Sequence, residues 1–363
     1  MLCSAHVSHG EQAPIKRILL VRTDRLGDVI LTLPMLPVLR SCFPDAHIAM
    51  LLRRYTGAII EGNPFVNELI WYDEGAELVP FSTMRRTLRQ GRFDAAIVVY
   101  PTFRLAWLMF SSGIPVRIGT GYRSYSFLFN RRVYEHRKDA RRHEVDYNLN
   151  LLSELGCIPS GPPEFSITLP TGLREKVREI LKSLGIDPSR EIIILHPGSG
   201  GSAREWGGKN FGALAARLGS DPAVQIVVTA TGAEAGKAER VVRDSNGIAL
   251  SLAGTLTLQE LAVLIEMSRL FISNSTGPIH VAAALGTPVV GLYPWQTAMS
   301  AHRWGPYTNR KIVLTPRTPG DCSDCEGSSV CACMESISVE DAYQAAQSLL
   351  DRYRMPITRS STV

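Results

Sequence analysis

Hydrophobic residues along this chain gather into short continuous runs, each followed by a stretch in which they recur every three or four positions. The first run is Ile18-Leu19-Leu20-Val21, and an apolar segment of that length with a helical stretch behind it reads as a strand buried on both faces of a parallel sheet. From Asp28 to Leu39 the residues Val29, Ile30, Leu33, Leu36 and Leu39 keep helical spacing, interrupted by Pro34 and Pro37. Ile48 to Leu52, Leu69 to Tyr72, Ala95 to Tyr100 and Val116 to Ile118 are further strand candidates. Strand alternating with helix predicts an α/β fold around a parallel sheet.

Residues 156–170, GCIPSGPPEFSITLP, place four prolines in fifteen positions, a density that neither a helix nor a central strand tolerates. A domain boundary is expected there. The alternation then restarts, with strands expected at Glu191 to Leu195, Val224 to Val228, Ala249 to Leu252, Leu270 to Ser273 and Val289 to Leu292, and a helix at Leu258 to Met267. Two doubly wound, Rossmann-like halves follow from this pattern. Near the end, Ser338 and Asp341 have capping spacing, and Val339, Ala342, Tyr343, Ala346, Leu349 and Leu350 form an apolar helical stripe that needs a partner.

Composition narrows the function classes. With 363 residues, 45% hydrophobic and 20% charged, the chain has the profile of a two-domain globular protein. A net charge of +5 and 7% aromatic residues, without a recognisable motif, give no case for nucleic acid as a partner. No apolar run reaches membrane-spanning length and no signal-peptide segment precedes Lys16 and Arg17, so a cytoplasmic protein is expected. Four of the seven cysteines, Cys322, Cys325, Cys331 and Cys333, crowd together late in the chain; their number suits a structural zinc, and packing or oxidation are the other readings.

Ligands of doubly wound sheets sit beyond the carboxyl ends of the strands, and three loops there carry chemistry. Arg22-Thr23-Asp24-Arg25-Leu26-Gly27-Asp28 follows the first strand; Asp28 fits either a helix cap or a general base. His196 to Trp206, HPGSGGSAREW, offers Ser199, Gly200 and Arg204 as phosphate ligands, because small residues let main-chain N–H groups approach and arginine brings bidentate charge. It is neither a Walker loop nor a G-x-G-x-x-G turn. Ser275-Thr276-Gly277-Pro278-Ile279-His280 runs into an apolar helix, whose N-terminus favours an anion; His280 fits equally a ligand or a packed helix residue.

The patterns RTDRLGDVI, HPGSG with AREW, STGPIHVAAALGTPVVGLY, and the late CSDC with CMESI together resemble glycosyltransferase family 9, the lipopolysaccharide heptosyltransferases. The similarity runs in order from about residue 16 to residue 350. The resemblance implies a GT-B fold: an acceptor-binding domain over 1–165, a donor-binding domain over 166–336, and a helix within 337–363 that crosses back onto the first domain. It implies transfer of a heptose from ADP-heptose to the inner core of lipopolysaccharide or its lipid A at the inner membrane surface, with no metal needed for catalysis. It places Asp28 as the base, Arg204 at phosphate, and Ser275, Thr276, Gly277 and His280 in the donor segment. Ser275 stands where many members have Asp, which puts the sugar in question. Glu234 and Glu239 are the candidates for the ribose.

The expected chemistry is an inverting transfer in which Asp28 takes the proton of the attacking hydroxyl while the nucleoside diphosphate leaves. For the anionic acceptor the candidates are Arg25 and, further along the chain, Arg123 beside a basic stretch, Arg131 to Arg142, with a local excess of four positive charges, among them Arg131 and Arg132. Two rival functions share the scaffold: an epimerase or hydrolase acting on the nucleotide sugar without acceptor, and a binding protein of envelope assembly without chemistry.

Overall fold

The computed structural model describes residues 14–317 and 333–353. Two six-stranded sheets, all parallel, form its frame. The first contains β1 (Arg17–Val21), β2 (His47–Leu52) and β3 (Glu68–Trp71); a small hairpin, β4 (Asp73–Glu74) with β5 (Glu77–Leu78), stands apart; then come β6 (Ala95–Val98), β7 (Val116–Thr120) and β8 (Arg131–Val133). Its order is β3-β2-β1-β6-β7-β8. The second sheet repeats the order with β9 (Glu191–His196), β10 (Val224–Val228), β11 (Ala249–Ser251), β12 (Leu270–Asn274), β13 (Val289–Leu292) and β14 (Lys311–Leu314), arranged β11-β10-β9-β12-β13-β14. Strand order therefore reverses between β1 and β6 and between β9 and β12, and a crevice opens at each reversal.

Period-two burial builds the layers. Ile18 and Leu20 face the core between the domains, whereas Leu19 and Val21 face an outer core with Leu105, Leu108 and Met109. In β9, Ile192 and Ile194 point to the shared core, and Ile193 and Leu195 to the far side with Trp206 and Phe211. A strand buried on both faces has to be apolar throughout, which is why these runs are continuous in the sequence. The edge strands β8 and β14 were not expected: Arg131-Arg132-Val133 has a single apolar residue, Lys311 to Leu314 only three, and most of both strands is only partly buried or exposed.

The helical stretch after β1 is broken. Leu26–Ile30 forms one short helix and Met35–Cys42 a second, with Pro34 at the cap of the latter. The proline-rich segment runs without regular structure, with Phe165, Ile167 and Leu169 against the shared core and the Asn63 side chain donating to Ser166 O at 2.8 Å.

The terminal helix, Val339–Arg352, has the expected Ser338/Asp341 capping box. Its destination corrects the expectation for 337–363. Ala342, Ala345, Ala346 and Leu349 are buried against the second domain, in one core with Phe211, Ile272 and Leu292. Arg269 donates to Tyr353 O, and the Trp206 indole donates to Ile337 O at 2.8 Å. A stripe of alanines allows close approach to the Gly208–Leu218 helix, so the second sheet, not the first domain, provides the partner.

Candidate functional site

Between the carboxyl ends of the two sheets lies a cavity of about 930 Å³, large enough for a nucleotide sugar. Its first-domain wall is Arg25, Leu26, Gly27, Asp28 and Tyr55; the facing wall comes from the loops after β9, β10 and β12. The walls meet at two glycines. A Cβ on Gly27 would lie 2.8 Å from His280 Cδ2, and one on Gly277 would lie 3.0 Å from Leu26 Cβ. Both therefore serve the close packing of the Leu26–Ile30 helix on the Gly277–Leu285 helix, beyond any turn they permit.

Asp28 belongs to a buried ionic cluster. Arg22, 2% exposed, donates from Nε to Asp24 at 2.8 Å and from a terminal nitrogen to Asp28 Oδ1 at 2.5 Å, and stands 3.6 Å from Glu144. Glu144 accepts from Arg137 at 2.6 Å and from Arg303 of the second domain at 2.9 Å. Burial alone would raise Glu144, but Arg137, Arg22 and Arg303 together hold it below the usual carboxylate range. Asp24 moves the other way: burial outweighs Arg22 and lifts it to about 7. Two further contacts tie the domains near this cluster, His143 Nε2 with Gly305 O at 2.7 Å and His302 Nδ1 with Ala140 O at 2.5 Å.

The second-domain wall holds its shape through carboxylates and an asparagine. Glu205 accepts from the Ser199 amide at 3.0 Å and its hydroxyl at 2.8 Å, and Lys237 bridges Glu205 and Glu234 at 2.6 and 3.0 Å. Glu234 also accepts from the Gly200 amide at 3.1 Å and packs where a Cβ on Gly198 would sit, 2.5 Å from Oε2. Asn274 clamps two loops, donating to Pro197 O at 2.7 Å and accepting from the Trp206 amide at 2.9 Å. Burial holds both histidines of this wall neutral, His196 down to about 4 and His280 to about 3. His280 lines the cavity, and its Nδ1 is buried with no hydrogen-bond partner among the described residues.

Of the residues singled out in the sequence, Arg25, Asp28, Ser199, Gly200, Glu234, Ser275, Thr276, Gly277 and His280 line this one cavity. Arg204 is half-buried on its loop, outside the lining set, and Glu239 is exposed on the Ala235–Asp244 helix. Arg123 is exposed; Arg131 and Arg132 belong to edge strand β8 and donate to the carbonyls of Glu154 and Phe129. Much of the basic stretch is engaged internally, Arg137 with Glu144, Arg141 with Asp139 and Arg142 with Glu135. Cys322, Cys325 and Cys331 lie outside the described residues, and Cys333 is half-buried. Arg22, Glu144, Arg303, Glu205, Lys237 and Asn274 were missed: Glu144, Arg303, Lys237 and Asn274 meet partners far off in sequence, and the short-range partners of Arg22 and Glu205 lie within loops whose turns only the structure shows.

Two doubly wound sheets facing across a nucleotide-sized cleft form a GT-B scaffold. The model of glycosyltransferase family 9 (heptosyltransferase) matches residues 81–328. The chain belongs to that family. It is 25% identical over 311 residues to a putative glycosyltransferase of Haemophilus influenzae, covering 83% of this chain and 90% of that one. It is 28% identical over 294 residues to lipopolysaccharide heptosyltransferase 2 of Escherichia coli K12, covering 76% and 82%. Among solved structures, a family 9 glycosyl transferase from Veillonella parvula superposes with a TM-score of 0.80 at 26% identity, covering 93% of this chain and 97% of the other.

Proposed function

We propose that this glycosyltransferase moves a heptose from ADP-heptose to the inner core of a lipopolysaccharide precursor at the cytoplasmic face of the inner membrane, inverting the anomeric centre without a catalytic metal. The observation that carries the reading is the convergence of Asp28 with the Ser275 to His280 segment on one cavity, through helices that touch at Gly27 and Gly277. The family's description and the name of the E. coli relative support heptose and lipopolysaccharide.

The acceptor hydroxyl attacks the anomeric carbon, the bond from that carbon to the diphosphate oxygen breaks, and the proton passes to Asp28. Arg22 occupies Oδ1 of Asp28, so the other oxygen takes the proton. The departing diphosphate keeps the bonding electrons and is held by the amides at the start of the Gly277–Leu285 helix, by Ser199 and Gly200, and by Arg25. Glu234 takes the ribose hydroxyls, and the neutral His280 forms part of the wall beside the donor.

Calorimetric titration with ADP, UDP and GDP tests the donor, repeated with Arg25→Ala. Selective ADP binding, weakened about tenfold or more by loss of a phosphate-contacting arginine, is expected. Preference for UDP or GDP would discard ADP-heptose.

A further inference from the structure

The positive charge of this chain is concentrated in one segment. Between Phe81 and Tyr134 there are nine arginines, no lysine, and a single acid, Asp94. That acid is spent internally, accepting the main-chain amides of Lys16 and Arg17 at 2.7 and 2.8 Å. The segment carries a net +8 in a chain whose total is +5, so the rest of the protein is net negative.

The same segment holds most of the exposed aromatic surface. Of the nine aromatic side chains exposed among the described residues, seven lie between residues 100 and 134. On the Phe103–Ser111 helix, Leu105, Ala106, Leu108 and Met109 are buried, while Phe103, Trp107 and Phe110 are 59%, 42% and 46% exposed. Positions i, i+4 and i+7 share one helix face, so a helix with a proper buried face carries a second apolar face turned to solvent. Trp107 stacks on Phe110 at 5.5 Å, and Arg117 covers Phe110 at 5.3 Å. Phe127, 68% exposed, stands on the neighbouring turn.

The basic and aromatic parts are turned the same way. The neighbouring Phe81–Gly91 helix buries Met84 and Leu88 in the same outer core as Leu105, Leu108 and Met109, so both helices cover one face of the first sheet. Their free sides point away from that face, and Arg86, Arg89 and Arg92 are exposed on the Phe81–Gly91 helix and at its cap, the helix that touches the one bearing the aromatic stripe. Arg85 joins the helices by donating to Ser111 O at 2.9 Å.

We propose that this face of the first domain docks on an anionic phospholipid bilayer, with Phe103, Trp107, Phe110 and Phe127 inserted at headgroup depth and Arg86, Arg89 and Arg92 on the lipid phosphates. Aromatic anchors beside a cluster of arginines match an interface that is apolar below and negative above. The nine-to-one excess of arginine over acid selects an anionic surface. The Phe103–Ser111 helix begins just beyond the carboxyl end of β6, the end of the sheet that faces the cleft. Docking therefore brings the cleft to the membrane. The inference deepens the reading of a lipid-linked acceptor, but its test needs neither donor nor acceptor.

Co-sedimentation of the full chain with vesicles of neutral phosphatidylcholine, with and without about a third phosphatidylglycerol, reads the docking directly. Binding to the anionic vesicles is expected, weakened about tenfold or more in Arg86→Gln/Arg89→Gln and in Phe103→Ser/Trp107→Ser, while the ADP affinity of both variants stays that of the parent. Unaltered ADP affinity also shows that the variants fold. Equal binding to neutral vesicles, or full binding by either variant, overturns the proposal. A concentration-dependent dimer that Phe103→Ser/Trp107→Ser abolishes, with no vesicle binding by the parent, would assign the face to a second copy instead. No ADP binding by the parent, with its vesicle binding intact, would overturn the donor assignment and leave the docking face standing.

Discussion

The loop after β1 and the loop after β9 occupy the same place in two sheets of identical strand order, yet they are built on opposite plans. The first packs Arg22, Asp24, Asp28 and, from a later helix, Glu144 into a nearly dry ionic cluster. The second presents glycines and hydroxyls, and its two histidines are held neutral by burial. A buried ionic cluster fixes one side chain in one orientation, because breaking any pair strands a charge. A loop of glycines and hydroxyls leaves room and main-chain N–H groups for a ligand that brings its own charge. One side of the cleft is shaped to act and the other to hold.

The sharpest way to break this contrast is Asp28→Asn. Turnover should fall by about 10²–10⁴ with ADP affinity nearly unchanged, as measured by initial rates beside calorimetry. A normal rate would remove Asp28 from proton transfer.

The contact between the sides is tested by Gly27→Ala. The new Cβ meets the buried His280 ring at 2.8 Å, so the two helices must move apart, at a cost of about 1–3 kcal/mol in a chemical denaturation curve. Gly236→Ala, on an open helical position with no heavy atom within 4 Å, is the control and should be neutral or stabilising by up to about 1 kcal/mol.

A change of pH tests the holding side alone. His196 and His280 sit at about 4 and about 3 in the folded chain, below their ordinary value, so the unfolded chain binds their protons first. Their stabilising contribution is complete above pH 6.5 and declines as the pH falls from there towards 4 and 3, with a limiting slope of about 1.4 kcal/mol per pH unit for each. A His196→Asn/His280→Gln variant should show a flatter fall of melting temperature over that range than the parent. An equal fall in both would mean that neither histidine is held neutral.

How much of the site was legible follows from how far each residue's reason extends along the chain. Asp28, Ser199, Thr276 and Gly277 each stand just after an expected strand, where a doubly wound sheet puts its ligands, and all four line the cavity. Glu144 and Arg303 could not be read this way. Glu144 is one acid in an ordinary helix until Arg22, Arg137 and Arg303 close on it. The basic stretch from Arg131 to Arg142 looked like a free surface in one dimension, and ion pairs consume much of it. The excess of arginine between Phe81 and Tyr134 can be counted in the sequence, but that the Phe81–Gly91 and Phe103–Ser111 helices cover one sheet face cannot.

The sequence by itself determined the two α/β halves, the break at the proline-rich segment, the capped terminal helix and the loops that bear chemistry. Each of these rests on spacing of two or about 3.6 residues, or on a local backbone requirement of proline or glycine. Only the tertiary structure decided that Gly27 packs on the helix of Gly277, that Arg303 reaches Glu144, and that the terminal helix covers the second domain. An amphipathic stripe states that a helix must bury one face, and a charge states that it needs a partner, but neither names the surface that provides it. Complementary shape and charge, brought together across more than a hundred residues of chain, make that choice.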